Sequence, residues 1–69
     1  MNLIYSDHAT DMMQLRHISF DDVEACLKDH DIYCTDRAGN HKYWKSIDGR
    51  DIKVVLSKQV KNLVITVED

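Results

Sequence analysis

Proline is absent from this chain, and glycine occurs only at Gly39 and Gly49. No apolar run approaches the ~20 residues that a helix needs to cross a membrane. Each shortage excludes something. Two separated glycines cannot build a glycine-rich phosphate loop. Without proline there is no proline-rich linker and nothing to interrupt a strand. Cys26 and Cys34 lack the spacing of a metal motif and share none with His8, His17, His30 and His41, so no metal and no cofactor is expected. Both cysteines read as reduced thiols, with Cys26 buried on a helix. The opening MNLIYSDH has neither the basic start nor the apolar stretch of a signal peptide, which points to the cytoplasm.

What is present suffices for one domain over residues 1–69, because 43% of the side chains are apolar and can form one core. A chain of this size buries only about 60% of the surface it exposes when unfolded, so any site is a shallow groove on a sheet or along a helix edge. The net charge of −3 conceals an asymmetry. Residues 1–36 carry eight acids against Arg16 and Lys28, whereas residues 37–69 carry seven Lys/Arg against four acids. The basic half suits a phosphate backbone, and the acidic half does not.

Residues 2–5 form a short extended lead-in. Ser6 or Asp7 then supplies the N-cap of a helix over about 7–16, in which Ala9, Met12 and Met13 recur at core spacing. Ser19 and Asp22 make a weaker form of the capping box, opening a second helix over about 20–29 with Val23, Cys26 and Leu27 facing inward. Ile18 and Val23 bracket that cap as a hydrophobic staple. From residue 31 the period becomes alternating. IYCTD, HKYWKSI, RDIKVVLSK and LVITVE are rich in β-branched and aromatic residues and are separated by turn formers. The expected fold is α+β in the order β-α-α-β-β-β-β, with two N-terminal helices packed on one face of an antiparallel four-stranded sheet.

Asp48-Gly49 predicts a two-residue hairpin turn, and that turn sets the register. Ile47 then opposes Arg50, Lys45 opposes Ile52, and Tyr43 opposes Val54. One face holds Tyr43, Ile47, Ile52, Val54 and Leu56, which is core chemistry. The other holds Lys42, Trp44, Ser46, Lys53, Val55 and Ser57, a mixed, basic and aromatic surface where a ligand is expected.

Several residues can carry chemistry. His8 carries an imidazole that can serve as a general acid or base, or it is an ordinary surface histidine beside a helix cap. Arg16 can clamp a phosphate, or pair with Asp11 or Asp22. Lys42, Lys45, Arg50 and Lys53, interleaved with Tyr43 and Trp44, suit RNA: cations for phosphates and rings for bases. A solvated strand face with one half-buried Trp explains the same residues. Thr66 can point a hydroxyl into the groove, although β propensity alone accounts for it. Tyr33 and Tyr43 read as core. With no paired carboxylates and no Ser-His-Asp order, metal-free phosphodiester cleavage is the hydrolytic chemistry these residues can staff.

DHATDMMQLRHIS resembles the opening of a family of small uncharacterised bacterial domains that read His-Ala-x-x-Arg-Met-x-x-Arg-Gly-Ile-Ser. IKVVL and VITVE resemble that family's later strands, so the likeness spans nearly the whole chain. RHISFDDVEACL is also similar to the Lys-His-Gly-Val-Ser-Phe-Glu segment of BrnT-type toxins, relatives of the RelE/ParE-like toxins. His8, Ala9, Met13, Arg16, Ile18 and Ser19 match, and Lys53 and Thr66 fall where the family's strands carry similar polar residues. Met12 replaces the first motif arginine and His17 the motif glycine, which removes one implied phosphate contact. The resemblance implies a RelE-like toxin fold, RNA binding or metal-free endoribonuclease activity and, for some relatives, an antitoxin protein as partner. On that reading His8, Arg16, Lys53 and Thr66 are catalytic, and Lys42, Tyr43, Trp44, Lys45 and Arg50 bind RNA. The alternative is a non-catalytic protein-protein interaction module on the same fold.

Overall fold

The first helix, α1, spans Asp7–Arg16, and both its ends are determined by hydrogen bonding that the local sequence supplies. Ser6 is the N-cap: its hydroxyl accepts from the Ala9 amide at 3.0 Å and donates to the Ile65 carbonyl at 2.7 Å. One side chain thereby caps the helix and ties it to the last strand. At the other end His17 takes a left-handed conformation (φ 55°, ψ 47°). The His17 amide donates to Gln14 and the Ile18 amide to Met13, which is a Schellman ending with Met13 and Ile18 both buried. The second helix, α2, spans Phe20–Lys28. Its capping box is complete, with the Asp22 amide donating to Ser19 Oγ at 3.0 Å and the Ser19 amide to Asp22 Oδ2 at 3.1 Å.

The computed structural model describes residues 2–69. Its strands are β1 (Ile4–Tyr5), β2 (Ile32–Thr35), β3 (His41–Ile47), β4 (Arg50–Leu56) and β5 (Leu63–Glu68). They form a single sheet in the order β1-β5-β4-β3-β2. Strands β2 to β5 are an antiparallel meander, as the alternating pattern predicts. The sheet nevertheless has five strands and is mixed, which corrects the expected four-stranded antiparallel sheet. β1 runs parallel to β5, with Ile4 opposite Leu63 and Tyr5 opposite Val64. Its bonds are Ile4 N–H to Asn62 at 2.8 Å and Ser6 N–H to Val64 at 3.0 Å. Two residues are too few to display a strand period, and their partner lies some sixty positions away, so only tertiary structure reveals the pairing. The physical gain is a covered β5 edge.

The hairpin register matches the one derived from Asp48-Gly49: Ile47 opposes Arg50, Lys45 opposes Ile52, and Tyr43 opposes Val54. Asp48 and Gly49 both have positive φ, as a type I′ turn requires. Between β4 and β5 the ladder shifts at Val55/Leu56, so that Val55 faces Thr66 and Leu56 faces Val64. The core comprises Ala9 and Met13 of α1, Ile18, Val23, Cys26 and Leu27 from the α2 region, and Ile52, Val54, Val64 and Val67 of the sheet. Met12 is half-buried rather than part of this cluster. Burial pushes the Cys26 thiol up to about 11, and both cysteines are free. Among the described residues, no helix is long and apolar enough to cross a membrane.

Candidate nucleic-acid interface

Strand alternation sends every second side chain of β3, β4 and β5 to the face opposite the core. Two cross-strand rows result. Trp44, Lys53 and Glu68 align across β3, β4 and β5, and Lys42, Val55 and Thr66 align in the next row. The Lys42 ammonium lies 5.1 Å and the Lys53 ammonium 5.8 Å from the centre of the Trp44 ring. Both are within cation–π range, so the indole is flanked by two positive charges on an accessible sheet surface. Lys53 also pairs with Glu68 at 2.5 Å.

Beside Trp44 lies a polar cleft of about 190 Å³, lined by Trp44, Asp51, Lys53, Glu68 and Asp69. Its three carboxylates escaped the sequence reading. The hydrogen bond from Lys53, reinforced by the charges of Lys53, Arg16 and His8, holds the Glu68 carboxyl below its usual range. Hydrogen bonds from Arg50 and Arg16 do the same for Asp69. A larger cavity of about 360 Å³ lies where α1 meets α2, lined by Thr10, Met13, Gln14, Ile18, Ser19 and Phe20. It contains no ionisable side chain, so the polar cleft is where acid–base or anion chemistry can occur.

The candidate residues fall into two groups. His8 is exposed in the first turn of α1, near enough to Glu68 for its charge to act there. Arg16, at the other end of α1, bonds Asp69 Oδ1 at 2.9 Å. Lys53 and Thr66 stand on the open face. His8, Arg16 and Lys53 each act on the Glu68 carboxyl, and Thr66 stands two residues before it on β5. The Arg16 Nε is buried with no hydrogen-bond partner among the described residues.

The RNA-binding candidates are divided. Lys42 and Trp44 share the open face, whereas Tyr43 and Lys45 point to the helix side. Tyr43 packs against the core and meets the ring of His30 at 4.9 Å. Lys45 pairs with Asp29 at the end of α2, 3.1 Å away. Arg50 is committed to structure: it bonds Asp69 and donates to the Arg16 and His17 carbonyls at the C-terminal end of α1. A guanidinium there satisfies carbonyls left free by the helix and suits its dipole. The sequence reading also missed a second polar cluster, where the Tyr33 hydroxyl lies 2.7 Å from His41 Nδ1 and the two rings stack. The alternation of β2 and β3 could have signalled it, since Tyr33 and His41 share the parity of Tyr43.

The family model described as Domain of unknown function (DUF4258) matches residues 5–69, from β1 through the polar cleft. The chain belongs to the DUF4258 family. No curated protein and no solved structure gives a significant match. What this DUF4258 domain offers chemically is an indole between two ammonium groups, a hydroxyl, an exposed imidazole and an arginine, interleaved with carboxylates that balance most of the positive charge.

Proposed function

We propose that this DUF4258 domain binds single-stranded RNA across its open sheet face and is a toxin-like, metal-free endoribonuclease related to the RelE and BrnT groups. The observation that carries this reading is Trp44, on the open face of the sheet with the Lys42 and Lys53 ammonium groups within cation–π reach of its ring. A base stacking on the indole would place its flanking phosphates over those two cations, the arrangement by which single-stranded nucleic acid is held. His8 takes or gives the proton of the reacting hydroxyl, and Arg16 and Lys53 stabilise the phosphoryl oxygens, with Thr66 as a further donor. An antitoxin is the protein partner this reading implies.

A second reading has its own support. Asp51, Glu68 and Asp69 line the cleft, where Asp69 pairs with Arg16 and Arg50 and Glu68 pairs with Lys53. A face neutralised in this way suits a protein partner, and the domain would then be a non-catalytic interaction module.

One set of measurements separates the two. Purified wild type, Trp44→Ala and His8→Gln are compared for binding to and cleavage of a mixed RNA, with EDTA present. Loss of one stacked base should weaken RNA affinity of Trp44→Ala about tenfold. His8→Gln should lose roughly 100-fold in cleavage with affinity unchanged. Binding without cleavage by the wild type removes the ribonuclease. No RNA binding by the wild type, at low as well as moderate salt, removes the RNA reading and leaves the interaction module.

A further inference from the structure

The two ends of the strands differ in how their charges are used. At the end where β5 finishes, the cations are engaged: Arg16 and Arg50 pair with Asp69, and Lys53 pairs with Glu68. At the opposite end β3 begins and β4 finishes, with His41 opposite Leu56. There the β2–β3 turn and the β4–β5 connection lie side by side, joined by the Lys58 amide, which donates to Asn40 Oδ1 at 3.1 Å. Residues 36–42 and 57–63 hold Arg37, Lys42, Lys58 and Lys61 against a single acid, Asp36. Both Asp36 carboxylate oxygens are committed to the turn, accepting from the Asn40 amide at 2.9 Å and its side chain at 3.2 Å. Among the described residues, none of the four cations is in an ion pair.

Placement connects this end to the indole. Arg37, Lys58 and Lys61 are exposed. Gly39 leaves room for the Lys58 stem, since a Cβ there would come within 2.8 Å of Lys58 Cδ. The Lys58 side chain therefore lies against the β2–β3 turn. Lys42 shares the open face with Trp44 and stands two residues nearer the turns. Two residues of strand advance about 6.8 Å, close to the separation of successive phosphates in an extended single strand. We propose that a single-stranded RNA held at Trp44 runs from the indole past Lys42 to the two turns, where Arg37, Lys58 and Lys61 meet its phosphates. This rests on the RNA-binding reading of the open face and adds to it the course of the strand.

Charge selects this course over the opposite one. A phosphate entering the polar cleft meets Asp51, Glu68 and Asp69, and reaches Arg16, Arg50 or Lys53 only by displacing a carboxylate. A phosphate at the turns displaces nothing but small counterions, and their release favours binding. The strand thus reaches the cleft from the turns, and most of its phosphate contacts lie outside the cleft. Lys28 is likewise in no ion pair, but it ends α2, on the covered side of the sheet. It supplies a cation that this course does not use.

The probe is an oligouridine of about twelve nucleotides, within the span that such surfaces cover, with 2′-O-methyl groups so that no 2′-hydroxyl can attack. Its affinity is read by fluorescence anisotropy across a salt series. Each phosphate contact on a single strand contributes about 0.7 to the slope of log affinity against log salt. Arg37→Gln, Lys58→Gln and Lys61→Gln combined should therefore lower the slope by about 2, and the affinity about a hundredfold at about 0.1 M salt. Trp44→Ala should weaken binding about tenfold with the slope unchanged, and Lys28→Gln should change neither quantity. On wild type, the probe should move the amide resonances of residues 37–40 and 58–61. A triple variant that matches wild type overturns the course and leaves the RNA reading standing. Amide shifts confined to the cleft residues do the same. A loss on Lys28→Gln as large as that from any one turn cation also overturns it, because the attraction would then be one of overall charge. A wild type that fails to bind the probe at low salt removes the RNA reading and the course with it.

Discussion

Along β4, neighbouring residues belong to two different surfaces. Ile52 and Val54, at 1% and 0% exposure, lie beneath α2, while Asp51 and Lys53 reach the polar cleft on the other side. The covered face is held by burial of apolar area, which is non-directional and scales with the area removed from water. The open face is held by ion pairs and by cations resting on one indole, which are directional and screened by salt. Stability and recognition are thereby separated onto opposite sides of the same strands. A sheet this small can change its open-face chemistry at little cost to its core.

The largest effect should come from breaking the covered face. Ile52→Ala removes a side chain from the centre of the core and should cost about 2–5 kcal/mol, read as a lower urea midpoint. Trp44→Ala, on the open face, should cost distinctly less, because its ring is only partly buried and its loss leaves no closed cavity. A Trp44→Ala variant as unstable as Ile52→Ala would mean that the open face is a second core.

A smaller loss is expected at the turn that assigns side chains to faces. Gly49 has φ 79°, and a Cβ there would meet nothing within 4 Å. The cost of Gly49→Val is therefore backbone strain alone, more than about 1 kcal/mol, since a β-branched residue resists positive φ. An unchanged midpoint would show that the turn relaxes and that the pairing of Lys45 with Ile52 is not enforced there.

The covered face was largely legible in the sequence. Ala9, Met13, Val23, Cys26, Ile52 and Val54 follow helical or alternating periods, and Ser19 with Asp22 announces its helix through local hydrogen bonds. The open face was legible only within the Asp48-Gly49 hairpin, where the turn dictates register. The 57–62 connection has no such turn, and the shift at Val55/Leu56 changes the pairing of β4 with β5. Alternation alone therefore did not place Glu68 beside Lys53 or bring Asp69 to Arg16 and Arg50. The same reason hid β1, whose pairing has no local signal. Tyr43 and Lys45 were grouped with Trp44 by proximity in sequence, although strand parity separates them.

A gain in stability is expected at His17. Its left-handed backbone is the conformation in which a side chain is penalised and glycine is not. His17→Gly should stabilise the fold by about 0.5–1 kcal/mol, with both Schellman hydrogen bonds retained. A lower midpoint would mean that the imidazole itself contributes more than the strain removes. The Arg50 bond would not explain such a loss, because it uses the His17 carbonyl, which glycine keeps.

The smallest effect should come from the charges at the rim of the open face, and pH is the way to reach it. Glu68 and Asp69 are both held below their ordinary values, Glu68 chiefly by the Lys53 hydrogen bond and Asp69 chiefly by those from Arg50 and Arg16. A carboxyl whose folded value is depressed contributes stability that is fully present above its unfolded value, about 4.3 for Glu and 3.9 for Asp. That contribution is lost as the pH falls through the lower, folded value. The urea midpoint should therefore hold steady well above those unfolded values and decline as the pH falls below them and both groups take up protons. Glu68→Gln and Asp69→Asn should each flatten part of the decline, as should added salt, which screens exposed pairs. Ile52→Val should lower the whole curve without changing its slope, because nothing on the covered face titrates with it. If the two carboxyl variants instead track wild type at every pH, the ion pairs around Arg16, Arg50 and Lys53 hold nothing together, and those cations are free for a ligand from the start.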